Sequence, residues 1–269
     1  MEQKVCLITG ATSGIGLALA HRFGQDGYRI FITGRNREKL DQTVSKLQQS
    51  GIEAFGIQAD AASETDQRRA VAETINRCGR LDVLINNAGI SMRALFEEAD
   101  LDVIRKVMET NFFGTVYATK AALPYLIRSK GSIVGISSIA GYKGLPGRTG
   151  YSASKFAMVG FLEALELELL KKGVHVLLAS PGFTATAIRE NSLTKTGEAQ
   201  GISPREEEKM MKPEEVALEI LKAVEKRKRT LILTGEGKLM VFLNKFFPAW
   251  VGKKVYQKMA AEPDSGLLP

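Results

Sequence analysis

The sequence predicts one α/β domain, a doubly wound, seven-stranded parallel sheet with helices on both faces. Three features predict it. Short runs rich in Val, Ile and Leu alternate with longer stretches of helical period along residues 1–235. These runs are continuously apolar rather than alternating, as strands buried on both faces are. The residues that follow them are rich in Gly, Ser, Thr and Asn, which suits a ligand crevice beyond the carboxyl ends of an open parallel sheet.

KVCLITG (4–10) reads as the first strand, and GLALAHRFGQDG (16–27) as a helix closed by glycine. YRIFITGR (28–35) is the second strand, and REKLDQTVSKLQQSG (37–51) a helix stopped by Gly51. EAFGIQAD (53–60) is the third strand, ETDQRRAVAETINRCG (64–79) a helix, and LDVLINNAG (81–89) the fourth strand. One long helix, containing Pro124, is expected over 101–129, and GSIVGISS (131–138) as the fifth strand. A helix over 152–173, the strand VHVLLASPG (174–182), a helix over 213–228 and the strand TLILTG (230–235) complete the alternation. No composition break or repeat interrupts it, so residues 1–237 read as one domain and 238–269 as a C-terminal extension.

The chain has 269 residues, 44% of them hydrophobic, enough to bury a substantial core. Its net charge of +7 admits a nucleic acid, an anionic membrane, a phosphorylated ligand, or simply a solvated basic surface. No basic–aromatic stripe of the kind that binds single strands is present, so nucleic acid is not expected as a partner. Two cysteines, Cys6 and Cys78, give neither a disulfide framework nor a metal spacing, so no metal and a reducing, cytoplasmic compartment are expected. MEQKVCLITG shows no signal segment, and no run is long enough to span a bilayer. His21 and His175 stand alone and read as structural or surface residues.

TGATSGIG (9–16) joins the first strand to the first helix. Its glycines allow a tight turn and a close ligand approach, and the helix N-terminus favours a pyrophosphate. The cradle Gly10, Thr12, Ser13, Gly14, Ile15 and Gly16 therefore points to a dinucleotide on a Rossmann-type sheet, although the spacing is G-x-x-x-G-x-G rather than G-x-G-x-x-G. The second strand ends at Arg35, with no Asp or Glu at 33–36. An acid there would bond an adenosine ribose, whereas an arginine pairs with a 2′-phosphate. Arg35 thus favours NADP(H) over NAD(H), and Asn36 offers a further donor.

YSASK (151–155) sets Tyr151 and Lys155 one helical turn apart with small residues between them. Together with TGATSGIG, NNAG (86–89), Asn111 in TNFFG, SS at 137–138 and SPGFTAT (180–186), it resembles the classical short-chain dehydrogenase/reductase family over residues 1–185. The resemblance implies hydride transfer between a nicotinamide and a carbonyl or secondary alcohol. It implies Tyr151 as general acid and base, with Lys155 holding the nicotinamide ribose and lowering the tyrosine pKa. Ser138, thirteen residues before Tyr151, would bond the substrate carbonyl, and Asn111 would support a water chain. It further implies Asp60 at the adenine, Asn87, Ala88 and Gly89 beneath its ribose, and Pro181, Gly182 and Thr184 along the carboxamide. The family's second basic position holds Ser13 here, so the NADP expectation rests on Arg35.

Residues 184–212 read as a substrate lid, with Ala185, Ala187, Ile188, Met210 and Met211 as its inward candidates. KLMVFLNKFFPAWVGKKVYQKM (238–259) has five lysines, no acid and a cluster of aromatics, with Pro248 dividing it. Three roles are open to it: a helix packed on the core or a partner subunit, a peripheral membrane contact, or a wall of the substrate pocket. The membrane reading makes a lipophilic ketone (steroid-, sphingoid- or acyl-like) the leading substrate class. Alternatives are a non-catalytic dinucleotide sensor or scaffold, and an NAD-dependent alcohol dehydrogenase. The resemblance also implies a homodimer or homotetramer through 101–129 and 152–173, where Phe112, Phe113, Phe156, Phe161 and Leu165 serve core or interface.

Overall fold

A computed structural model describes residues 3–203 and 210–267. Strands β1 (Val5–Ile8), β2 (Arg29–Gly34), β3 (Ala54–Gln58), β4 (Val83–Asn86), β5 (Ser132–Ile136), β6 (His175–Ser180) and β7 (Thr230–Ile232) form one sheet. All its pairings are parallel, in the order β3-β2-β1-β4-β5-β6-β7. Each strand lies inside one of the seven apolar runs.

Alternation along a strand explains why the runs are continuously apolar. Cys6, Ile8, Ile30 and Ile32 point into one core, packed by Leu19 and Phe23 of α1 (Gly14–Gln25) and Val216 and Ile220 of α7 (Pro213–Glu225). Val5, Leu7 and Phe31 point into a second core, with Val71 of α3 (Glu64–Cys78), Ala118 of α5 (Gly114–Ser129) and Leu162 of α6 (Thr149–Leu169). Each fully buried Leu or Phe contributes about 1.5–3 kcal/mol of transfer free energy, and the strands have such residues on both sides. α2 (Arg37–Gln49) flanks β2 and β3, capped by Asn36, whose Oδ1 accepts from Lys39 N–H at 2.9 Å.

The stretch expected as one helix over 101–129 is three pieces. α4 (Leu101–Met108) runs into a π-helical turn (Glu109–Phe113), which runs into α5. Two further helices, α8 (Gly235–Phe246) and α9 (Pro248–Ala260), occupy the extension and are divided at Pro248. Within the expected lid, residues 204–209 lie outside the described residues. Its described part is pinned by bridges between Met92 and Leu193 and between Thr184 and Met211. Ala187 is exposed, so it does not face inward. His175 is structural: its ring joins Ser132 Oγ (3.0 Å) and the Lys228 carbonyl (2.8 Å). Cys6 and Cys78 are buried free thiols. Leu165 belongs to the core, whereas Phe113 and Phe156 are exposed.

Candidate active site

The strand order reverses between β1 and β4, so the segments leaving their carboxyl ends diverge and open a crevice. Thr9 and Asn87 fix its floor. The Thr9 hydroxyl accepts from the Asn87 and Ala88 N–H groups, both at 3.1 Å. Asn87 Nδ2 donates to the Thr9 carbonyl at 3.0 Å and the Gly10 carbonyl at 2.9 Å. Gly10 has φ +64°, and a Cβ there would stand 2.8 Å from Ala88 Cα, so only glycine lets the two loops meet. At Gly16 a Cβ would come within 2.7 Å of the Gly10 carbonyl.

α1 begins at this floor. Its N-cap, Ser13, makes no side-chain cap, and its first turn holds no acidic residue, so the positive end of the helix faces the crevice beside Thr12 and Ile15. Arg35 stands exposed at the end of β2. Its neighbour Arg37 pairs with Asp41 at 2.7 Å, but among the described residues no carboxylate pairs with Arg35. Because Asn36 Oδ1 caps α2, only its amide nitrogen is left as a donor. Asp60 follows β3, and its Oδ1 accepts from Ala62 N–H at 3.0 Å. An uncapped helix end, glycines packed without room for a Cβ and an arginine with no acidic partner together fit an anionic dinucleotide.

Across the crevice, α6 carries Tyr151 and Lys155. Lys155 is 3% exposed, and its Nζ donates to the Ile136 carbonyl at 2.8 Å and lies 5.7 Å from the Tyr151 ring centroid. Burial pulls its pKa down to about 8. Ser138 follows β5, caps a short 3₁₀ turn through Ala140 N–H (3.1 Å) and hydrogen-bonds the half-buried Tyr151 phenol. Asn111 sits in the π turn, fully buried. Its Oδ1 accepts from Ile90 N–H (2.8 Å), and its Nδ2 donates to the Ile90 carbonyl and Ser154 Oγ, both at 2.9 Å. A Cβ on Gly89 would lie 3.3 Å from Asn111 Oδ1 and 3.6 Å from Lys155 Nζ, so the NNAG turn abuts the same cluster. Pro181, Gly182 and Thr184 line the exit of β6, with Thr184 Oγ1 donating to the Gly182 carbonyl at 3.3 Å.

The Tyr151 pKa runs opposite to the expectation. Burial raises it, and this outweighs the Ser138 hydrogen bond and the charges of Arg148 and Arg189, which lower it. The lowering expected from Lys155 is overridden because the tyrosine is desolvated and the lysine is itself buried against a carbonyl. Thr9, Arg148 and Arg189 are the residues that sequence reading missed. Arg148 stands three residues before Tyr151, a helical spacing that could have revealed it. Arg189 comes from the lid, anchored by its Nη2 to the Thr184 carbonyl at 2.8 Å, and no local spacing signals it.

Comparison with known proteins agrees with this geometry. The profile of the short chain dehydrogenase family matches residues 4–197. Dehydrogenase/reductase SDR family member 7B of Danio rerio is 36% identical over 260 residues, covering 93% of this chain and 83% of its own. Among solved structures, an actinorhodin polyketide ketoreductase with NADPH superposes with a TM-score of 0.77 at 32% identity, covering 87% of this chain and 96% of that one. An alcohol dehydrogenase from Thermococcus sibiricus, complexed with 5-hydroxy-NADP, gives 0.76 at 25% identity, with coverage of 86% and 96%.

Proposed function

The chain belongs to the short-chain dehydrogenase family, and on that premise we propose that it is an NADP(H)-dependent reductase of lipophilic ketones. The observation that carries the cofactor reading is Arg35: an exposed guanidinium at the end of β2, with no carboxylate partner among the described residues. Gly10, Thr12, Ser13, Gly14, Ile15 and Gly16 would hold the pyrophosphate at the start of α1. Asn87, Ala88 and Gly89 would sit beneath the adenine ribose and Asp60 at the adenine. Pro181, Gly182 and Thr184 would flank the carboxamide. Bound NADPH supplies the hydride.

The chain's own part is proton delivery and orientation. Tyr151 gives its phenolic proton to the carbonyl oxygen, and Ser138 bonds the same oxygen as charge builds on it. Burial keeps the phenol protonated at neutral pH, which suits an acid in reduction better than a base in oxidation. Lys155 would steady the nicotinamide ribose, and Asn111 holds the Ile90 backbone and, through Ser154, α6 in register with it.

The lipophilic substrate rests on the extension. α8 and α9 lie on the segment after Ser138: Asn244 Nδ2 donates to the Tyr142 carbonyl (3.1 Å), and Lys143 Nζ donates to the Pro248 carbonyl (2.9 Å). Their outer face exposes Leu239, Phe242, Phe246, Phe247 and Trp250, rimmed by exposed Lys238, Lys245, Lys253 and Lys254. Apolar contact ringed by lysine complements an anionic lipid surface, so the protein is read as cytoplasmic and peripheral to a membrane, with its site opening beside the bilayer.

The test is a fluorescence titration of NADPH and NADH on wild type, Arg35→Ala and Tyr151→Phe. NADPH should bind wild type roughly ten- to a hundredfold more tightly than NADH, and Arg35→Ala should erase that preference. Tyr151→Phe should bind NADPH normally and lose roughly 10²–10⁴ in turnover of a ketone panel. Equal binding of NADH by wild type would move the assignment to an NAD-dependent alcohol dehydrogenase.

A further inference from the structure

Outside the crevice, the least ordinary buried charge is Glu262. It follows α9, and its side chain is 4% exposed. Arg148 Nη2 approaches its Oε2 at 2.7 Å and Arg93 Nε at 3.7 Å, and these arginine side chains are 11% and 13% exposed. Arg93 also donates to the Pro263 carbonyl. Both arginines stand on segments that border the site. Arg93 N–H donates to the Leu193 carbonyl of the lid, and Ala94 N–H donates to the Gly147 carbonyl next to Arg148. Arg148 immediately precedes α6, three residues before Tyr151, and its carbonyl accepts from Ser152 N–H at 2.9 Å. One carboxylate from the far end of the chain therefore ties together the loop after β4, the start of the catalytic helix and, through Arg93, the lid.

We propose that Glu262 is a positioning residue for the reaction: it holds Arg148 at the start of the helix that carries Tyr151 and so makes the C-terminal segment part of the active site. This rests on the reading of Tyr151 as the proton donor. Ser138 after β5 bonds the phenol, Lys155 one turn along α6 stands 5.7 Å from the centre of its ring, and the charges of Arg148 at the start of α6 and Arg189 from the lid act on it from further off. Arg93 and Arg148 are among the groups that face Glu262, and Glu98, Lys195 and Asp264 border the pocket beside it. An arginine in contact with a carboxylate acts at a distance more like a dipole than like a full charge. With Glu262 in place, part of the pull of Arg148 on the phenol is offset, and burial keeps the proton on Tyr151. With the carboxylate gone, more of the positive charge of Arg148 acts in favour of the phenolate.

The experiment is the alkaline titration of Tyr151 in the full-length protein, followed by carbon NMR of ring-labelled tyrosine, with Tyr151→Phe assigning the resonance. Glu262→Gln keeps the size and hydrogen-bonding of the side chain and removes its charge. It should lower the Tyr151 midpoint by about half a unit to one unit. Arg148→Gln should raise the midpoint, and Glu262→Asp, which keeps the charge, should leave it near that of wild type. A merely structural tail contact would not produce this order of shifts. An unmoved midpoint in Glu262→Gln overturns the proposal, as does an equal shift in Glu262→Asp. Where Glu262→Gln loosens the fold, Arg148→Gln and Glu262→Asp decide by the same readout. The titration needs no turnover, so an active Tyr151→Phe would sink the proton-donor reading separately.

Discussion

Lys155 has an acceptor in the Ile136 carbonyl but little water, being 3% exposed. Desolvation disfavours its ammonium, which brings its pKa from 10.5 to about 8. Between these two values the unfolded chain binds a proton that the native chain does not, so native stability rises with pH across that window. The full cost is present below pH 8. Lys155→Met lacks the group and should show no such rise. Urea unfolding at a series of pH values should find wild type gaining about 3 kcal/mol on Lys155→Met between pH 8 and 10.5, at ~1.4 kcal/mol per pKa unit. A constant difference would mean that Lys155 keeps its charge at no cost. The four-residue spacing of Tyr151 and Lys155 was legible because a helix repeats every 3.6 residues. Their pKa directions were not, because desolvation dominates both shifts and the burial behind it arises only when the fold closes around the pair.

The π turn between α4 and α5 shows the same limit for an element. Apolar period marked helix over 101–129, and helix is what forms there, but a turn that closes over one extra residue leaves no trace in that period. Tertiary pairing accompanies it. Asn111 satisfies both backbone groups of Ile90 at once, and Gly114 packs so closely that a Cβ would stand 2.7 Å from the Ala61 carbonyl. In Asn111→Ala the Ile90 N–H and carbonyl both lose their partner in a half-buried loop. Each loss costs about 1–3 kcal/mol, so the variant should unfold about 2–6 kcal/mol more easily in urea. Asn111→Asp keeps the acceptor but buries a carboxylate whose second oxygen meets the Ile90 carbonyl, and should be destabilised at least as much as Asn111→Ala. A full-stability Asn111→Ala would show that the π turn holds without its side chain. Asn111 is bonded here to Ile90 and Ser154, contacts that its position in TNFFG did not reveal.

At the scale of the molecule, the sheet was legible because β1 to β6 each feed two cores and the crossovers are helical, so strand and helix alternate in the sequence as they do in space. The extension obeyed no such rule, and composition left it three roles. Its inner face packs beside the site, since Lys143 reaches the Pro248 carbonyl and Gly237 lies against Ile139. Its outer face has no cover among the described residues: Leu239, Phe242 and Phe246 share one side of α8, and Phe247 and Trp250 continue it into α9, each more than half exposed. Exposed aromatics gathered in so short a stretch are costly in water. On a bilayer each would recover part of the ~1.5–3 kcal/mol of a buried side chain, with about 1 kcal/mol from each nearby lysine if the lipid is anionic. Wild type should therefore sediment with phosphatidylserine vesicles, weakly with phosphatidylcholine vesicles, and less as salt is raised. Phe242→Ser with Trp250→Ser should abolish sedimentation and leave NADPH affinity unchanged, because neither side chain reaches the cradle. Self-association of wild type that the double variant abolishes, without vesicle binding by either, would assign this face to a second copy of the chain instead.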